Sequence, residues 1–364
     1  MNNRLLLGLD IGGANTKSVL IKCQEGKIIK AYPYIEYFPF WEKSKKTIAE
    51  LFKRIILYNI QANGFKIKDL DKIAITMTAE LSDAFQTKRE GILTILNALK
   101  NFFPPDLLIF INNKNIFINI EELELDPLQI AAANWVSTAL YLGQFVPKCI
   151  LIDAGSTTID IIPISDSIPC PRGRNDITRL QNHELIYTGG LRATIPSIIH
   201  FVPFKGEMVR ISFERFALIS DIHLILGNIT EKEYTNDTAD NRSTSLDDCF
   251  ARLSRVICMD LESISKEELI HIANYIYEKQ LEIIKDEINL FYNKLISRLP
   301  EFKENPQFIL TGSSAKFLAF KAVNELSFNK TINYYDTITD ILPLIPTSAF
   351  TVAAVYYFNF FKMD

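Results

Sequence analysis

The sequence predicts a two-lobed α/β protein, on three observations. Its 364 residues exceed what one hydrophobic core ordinarily organises. Strand-like apolar runs alternate with helix-like periodicities. One local pattern also occurs twice: Leu7–Lys17 (LGLDIGGANTK) and Leu151–Asp160 (LIDAGSTTID) each carry an apolar strand into an Asp and then a turn of small and hydroxyl-bearing residues. Each strand delivers a carboxylate, Asp10 or Asp153, to its end. The turns that follow (Gly12, Gly13, Asn15, Thr16; Gly155, Ser156, Thr157, Thr158) let a ligand approach backbone N–H groups. Such a turn cradles phosphate oxygens, and such an Asp holds a hydrated Mg2+, so both carboxylates are expected as metal ligands around one polyphosphate. The alternative for each Asp is a loop-capping role.

Taken in order, Leu5–Asp10, Lys17–Lys22 and Lys27–Tyr34 read as a strand meander turning at Gly26. A helix is expected from Lys43 to about Ile60, with Ile48, Leu51, Phe52, Ile55 and Ile56 on one face. Lys72–Thr78 returns as a buried strand, Arg89–Phe102 as a helix, and Leu107–Ile120 as a hairpin around Asn112–Asn115. Asp126-Pro127 starts a helix through Ala131–Leu142 that ends at Gly143. The second lobe opens at Cys149–Asp153, with its hairpin over Thr157–Ile164, and Pro169 to about Arg210 reads as an elaborated polar loop module. Helices follow at Phe213–Leu226, Leu246–Leu261 and Lys266 to about Leu299, with the polar Gly227–Ser245 the most disorder-like stretch. Gln307–Leu310 leads into Thr311-Gly312-Ser313-Ser314, and Ser348–Phe361 closes the chain. The lobes are drawn at 1–146, joined by the closing helix 347–364, and at 147–346, with an inserted module over about 169–260.

The net charge of −4 is diffuse and suggests no nucleic-acid surface. Five cysteines fall singly with no CxxC, at least three of them in apolar surroundings, which is reducing-compartment usage. The first strand begins within a few residues of the N-terminus, and no apolar run nears the roughly 18 residues of a membrane span, so a cytoplasmic protein is expected. Four scattered histidines lack zinc spacing, and no GxSxG or Cys/His signature points to nucleophilic hydrolysis.

The element order resembles the actin/Hsp70/sugar-kinase superfamily (ASKHA) with its ribonuclease-H-like lobes. In that resemblance Asp10–Lys17 matches the first phosphate loop, Asp153–Thr158 the second, and Gln307–Lys316 (QFILTGSSAK), with Gly312 and Ser313, the adenosine motif. The helices near Ala131–Leu142 and Ser348–Tyr357 match its two connecting helices. Longer phrases are narrower: MTAELSDAFQTKREG (Met77–Gly91), AAANW (Ala131–Trp135), LIDAGSTTIDIIPI (Leu151–Ile164) and GRNDITRLQNHELIYTGGLRAT (Gly173–Thr194). They resemble the hydantoinase/oxoprolinase-related family of the tetrahydromethanopterin-linked one-carbon pathway. That resemblance implies methanofuran biosynthesis: condensation of an aminomethylfuran-methyl diphosphate with gamma-glutamyltyramine, giving an aryl ether and diphosphate, with Mg2+ and without ATP.

Glu80, just past the strand Lys72–Thr78, is the first candidate for general base toward the phenol, or else an ordinary helix N-terminal acid. Asp83 could play the same part. Lys17 either reaches a phosphate or is a solvated strand residue. The resemblance places Asn134 beside the phosphates and leaves Trp135 to the core. Arg172, Arg174, Arg179 and Arg192, with Asp176 and Glu184, offer forked donors suited to a carboxylate such as the glutamyl group, or else form a salt-bridged surface loop holding an exposed His183. Two other functions remain open, an ATP-dependent small-molecule kinase and a nucleotide-binding regulatory or scaffold protein. The single glycine in Thr311–Ser314 weakens adenine binding. The long helix Lys266–Leu299 could serve a homodimer or be buried in the second lobe.

Overall fold

The computed structural model describes residues 3–40, 47–342 and 344–361. They form two compact units. The first comprises the described residues of Met1–Lys148, Ile164–Thr178 and Tyr335–Asp364, the second Cys149–Pro163 and Arg179–Tyr334.

Three antiparallel strands come first: β1 (Asn3–Ile11), β2 (Asn15–Gln24) and β3 (Lys27–Tyr37). Glu25 and Gly26, at φ 51° and 75°, make the tight reversal between β2 and β3. Then follow α1 (Ile48–Ile55), β4 (Lys72–Met77), α2 (Lys88–Lys100), β5 (Leu108–Ile111), β6 (Phe117–Ile118), α3 (Ile120–Leu125) and α4 (Asn134–Gly143). The start of the predicted helix at Lys43 lies outside the described residues. The first sheet runs β3-β2-β1-β4-β5-β6, with β4 parallel to β1 and β5 parallel to β4.

The chain continues through β7 (Cys149–Ala154), β8 (Ile159–Ser165), β9 (Ile168–Pro169), α5 (Asp176–Gln181) and β10 (Leu185–Ile186). β11 (Phe201–Phe204) and β12 (Glu207–Arg210) make a separate hairpin, followed by α6 (Ile219–Ile225), α7 (Leu246–Arg255) and α8 (Lys266–Arg298). β13 (Gln307–Thr311), α9 (Phe320–Asn324) and β14 (Thr331–Tyr334) finish the second unit, while α10 (Tyr335–Thr339) and α11 (Thr347–Phe360) return to the first. The second sheet runs β10-β8-β7-β13-β14, with β13 parallel to both β7 and β14. Each sheet thus sets its opening hairpin beside parallel strands that return later in the chain. This is the predicted ribonuclease-H-like α/β class.

In the first unit Leu5, Leu7, Leu9 and Ile11 alternate into a core shared with Ile48, Phe52, Ile92 and Ile95 of α1 and α2. The opposite face of β1 carries Gly8 and Asp10, and α11 lies against it. A methyl group at Gly8 would sit 1.9 Å from the Ala349 carbonyl oxygen, so only glycine admits the helix so closely. In the second unit α8 is built into the core along its length, from Leu269 to Leu295.

Three expectations need correction. The helix predicted from Asp126 to Gly143 is broken: Pro127–Ile130 is a 3-10 turn, Ala132 takes φ 50°, and α4 starts only at Asn134. Its end at Gly143 is as expected, and a Cβ there would meet the Ser167 carbonyl oxygen at 2.2 Å, so close approach requires the glycine as well. α6 and α7 are shorter than their patterns: α6 starts only at Ile219, and α7 ends at Arg255. Gly227–Ser245 is irregular but held fast. Tyr234 donates to Asp221 Oδ1 (2.9 Å), and Asp240 accepts from Arg252 (3.1 Å) and Arg255 (2.8 Å).

Candidate active site

Asp10 ends β1, with Lys17 opposite on β2 and Thr76 opposite on β4, all three on one face of the sheet. Its side chain is 3% exposed. Oδ2 accepts from Lys17 Nζ (3.3 Å) and from Ser348 Oγ on α11 (2.5 Å), whereas Oδ1 is buried with no hydrogen-bond partner among the described residues. Thr76 Oγ1, across the strand pair, is buried and unpartnered too, as is Thr16 Oγ1. The loop after β1 closes through Gly12 N–H to Asn15 O (3.1 Å), and a Cβ at Gly12 would meet that oxygen at 2.7 Å. Gly13 faces open space. Ser348 was invisible to motif reading.

Glu80 sits in the 3-10 turn Ala79–Leu81 after β4 and is 2% exposed. Oε1 accepts from the Ala132 N–H at 2.9 Å, so the break before α4 supplies its one strong donor; Oε2 has none among the described residues. Burial pushes its carboxyl up to about 7, outweighing the backbone donors that favour ionisation. Gly91 permits this enclosure, since a Cβ there would approach Glu80 Cα to 2.8 Å. Asp83 is exposed, and Glu80 alone of the two has the environment of a tuned base. Asn134 is half-buried at the first position of α4, and Trp135 is core.

In the second unit three loops meet at the end of β7. Gly155 N–H closes on Thr158 O (2.9 Å), and the carbonyls of Gly155, Ser156 and Thr157 accept from the N–H groups of Gly190, Leu191, Arg192 and Gly189 at 2.9–3.1 Å. The predicted adenosine turn backs onto the same place. Gly312 (φ 93°) would carry a Cβ 2.5 Å from Asp153 Oδ1, and Ser314 bonds to Ala154 O through its N–H and to Gly155 O through its hydroxyl. Ser313 is exposed beside it. Gly189 and Gly190 were not singled out from the sequence, although the paired glycines of Tyr187-Thr188-Gly189-Gly190 were a signal. A Cβ on either would collide with Gly155 or Ser314.

Behind this layer Gln280 of α8 donates to Thr188 Oγ1 (3.0 Å) and Gly189 O (3.1 Å) and faces His223 Nε2 at 3.0 Å. Burial lowers His223 to about 3, so the ring is neutral, and the network assigns its proton to Nε2, with Nδ1 accepting from Asn228.

The arginine group divides. Arg179 is no ligand donor: it is buried, paired with Asp160 (2.7 Å) and bonded to Glu184 O, and Glu184 is itself buried. His183 pairs with Glu287, and Asp176 with Lys88. Arg172, Arg174 and Arg192 are exposed, Arg174 donating to Asn113 O.

Among the described residues no three His, Cys, Asp or Glu side chains converge as a protein-only metal cage. Mg2+ needs only one or two carboxylates and keeps its waters, and the bare buried Oδ1 of Asp10 fits that chemistry. No helix among the described residues is long and apolar enough to cross a membrane.

The pattern of the hydantoinase/oxoprolinase family matches residues 71–336. A Methanocaldococcus jannaschii protein, (4-{4-[2-(gamma-L-glutamylamino)ethyl]phenoxymethyl}furan-2-yl)methanamine synthase, is 38% identical over 286 residues, covering 78% of this chain and 81% of its own. A Methanococcus vannielii protein of the same name is 38% identical over 151 residues, 41% of this chain and 68% of that one. Among solved structures, nucleotide-free acetone carboxylase aligns over 97% of this chain and 70% of its own at TM-score 0.50 and 11% identity, a likeness of fold alone.

Proposed function

We propose that this chain, which belongs to the hydantoinase/oxoprolinase family, makes the phenoxymethyl-furan ether of methanofuran biosynthesis from a furan-methyl diphosphate and gamma-glutamyltyramine. The observation that carries the reading is the 38% identity to the Methanocaldococcus jannaschii synthase across 78% of the chain. The chemistry suits the residues. A carbon beside an electron-rich furan loses diphosphate with carbocation character, so the demands are to stabilise the leaving oxygens and to place the phenol oxygen. The furfuryl C–O bond breaks with its electron pair on diphosphate, the phenol oxygen forms the new C–O bond, and its proton passes to Glu80. A carboxylate with a pKa of about 7 and one uncommitted oxygen can take that proton near neutrality. The loop after Asp10, or that after Asp153, would hold the diphosphate, and Mg2+ on the carboxylate beside it would supply positive charge to the departing oxygens. Exposed Arg174 or Arg192 is assigned to the glutamyl carboxylate.

Incubating the purified protein with both substrates and Mg2+, without nucleotide, should yield ether and diphosphate in equal amounts. Product formed only when ATP is added, with ADP in step, would replace this reading with the kinase.

A further inference from the structure

We propose that Ser348 is the positioning residue that decides which oxygen of Asp10 meets the ligand. The inference rests on the divalent-cation part of the reading above. A free carboxylate presents either oxygen by rotating about its Cβ–Cγ bond, but this one is asymmetric. Both donors that reach it, Lys17 Nζ and Ser348 Oγ, take Oδ2. Among the described residues Oδ1 is left buried and bare, and at the paired position of the neighbouring strand Thr76 Oγ1 is buried and bare as well. Two buried polar atoms without partners at paired strand positions are costly unless something polar joins them. A hydrated divalent cation satisfies both needs, accepting the anionic oxygen and offering water to the hydroxyl.

Lys17 does not fix the rotamer alone, because its contact is long and its side chain 40% exposed. Ser348 is held better. Its carbonyl accepts from Thr351 Oγ1 (3.2 Å), and the next residue, Ala349, lies against Gly8. The helix is thus seated two residues from Asp10, which brings the Ser348 hydroxyl to Oδ2.

The test is Mn2+ binding to the full chain by electron paramagnetic resonance, with and without inorganic diphosphate. Ser348→Ala should weaken Mn2+ by about 10-fold or more, the scale on which partners of metal-binding carboxylates act. Ser348→Thr, which restores the hydroxyl, should recover most of the affinity, and Ser348→Cys should fall between. Asn359→Ala, exposed near the far end of the same helix and not touching Asp10 or Ser348, should bind as wild type. Equal binding by wild type and Ser348→Ala, or equal loss in Asn359→Ala, overturns the proposal. Wild type that binds no Mn2+ overturns it together with the metal assignment. Protein that binds Mn2+ as expected but makes no ether removes only the proposed reaction.

Discussion

Glu80 is a titratable group balanced against its own burial. Its carboxyl in the folded chain sits at about 7, above the ordinary 4.5, so the folded state holds a proton that the unfolded chain has released. The stability this contributes is complete below the unfolded value and is lost as pH rises through the folded one. Wild type should therefore lose, relative to Glu80→Gln, on the order of 3 kcal/mol between pH 4.5 and 7. Urea unfolding across that range measures it, and parallel curves for the two proteins would remove the burial argument. If Glu80 takes the phenol proton, kcat/KM should rise with pH through about 7, and Glu80→Gln should lose that limb along with roughly 10²–10⁴ of rate. The glutamyl assignment has its own check. Arg174→Ala or Arg192→Ala should raise KM for gamma-glutamyltyramine far more than for tyramine, and equal effects on both would dismiss it.

Elements show what local reading can and cannot see. The opening hairpin, α2, α8 and both Asp-Gly turns were legible because strand alternation, helical periodicity and turn chemistry are short-range signals. The break before α4 was not. Three alanines after a Pro-started turn read as continuous helix, whereas Ala132 is left-handed and gives its N–H to Glu80, 52 residues earlier. Arg179 looked like a ligand donor because its partner Asp160 lies in a different element. Ser348 meets Asp10 across 338 residues, beyond any spacing rule. The brace formed by Gln280 is likewise a contact between distant elements, and it carries a prediction. Gln280→Leu strips partners from Gly189 O, Thr188 and His223, all within the core. It should cost about 1–3 kcal/mol in denaturant unfolding and loosen amide protection at Gly189–Arg192. Unchanged exchange there would mean the loop holds itself. Gly8→Ala should cost more than an ordinary surface change, at least about 1–3 kcal/mol, because a helix backbone must retreat from β1.

The whole molecule is two compact units threaded by one chain. Leu7, Phe52 and Ile92 belong to one cluster and Ile152, Ile284 and Phe308 to another, so each unit buries its own apolar surface. The sequence disclosed two repeats of one motif and an expected closing helix 347–364 joined to the first lobe. The first unit takes α10 and α11 from later in the chain, along with Ile164–Thr178 from the middle. Truncation after Tyr334 removes the buried face of α11, including Ala349, Val352, Ala353 and Tyr357. Such a chain should lose the cooperative unfolding and proteolytic resistance of the first unit while protection in the second persists. Retained resistance in the Asn3–Ile11 strand would show that the first sheet stands without its last helix.

The seat of α11 on Gly8 also sets a timetable. β1 leaves the ribosome before the second unit is made, yet the helix that covers it follows that unit. At roughly 5–20 residues per second, the stretch from Cys149 to Tyr334 takes on the order of ten to forty seconds to synthesise. Through that interval the Asp10 face of the sheet has neither its lid nor its serine. A nascent chain of this protein therefore carries an unfinished, sticky half whose completion waits on the synthesis of α11, and its dependence on chaperones should be concentrated there.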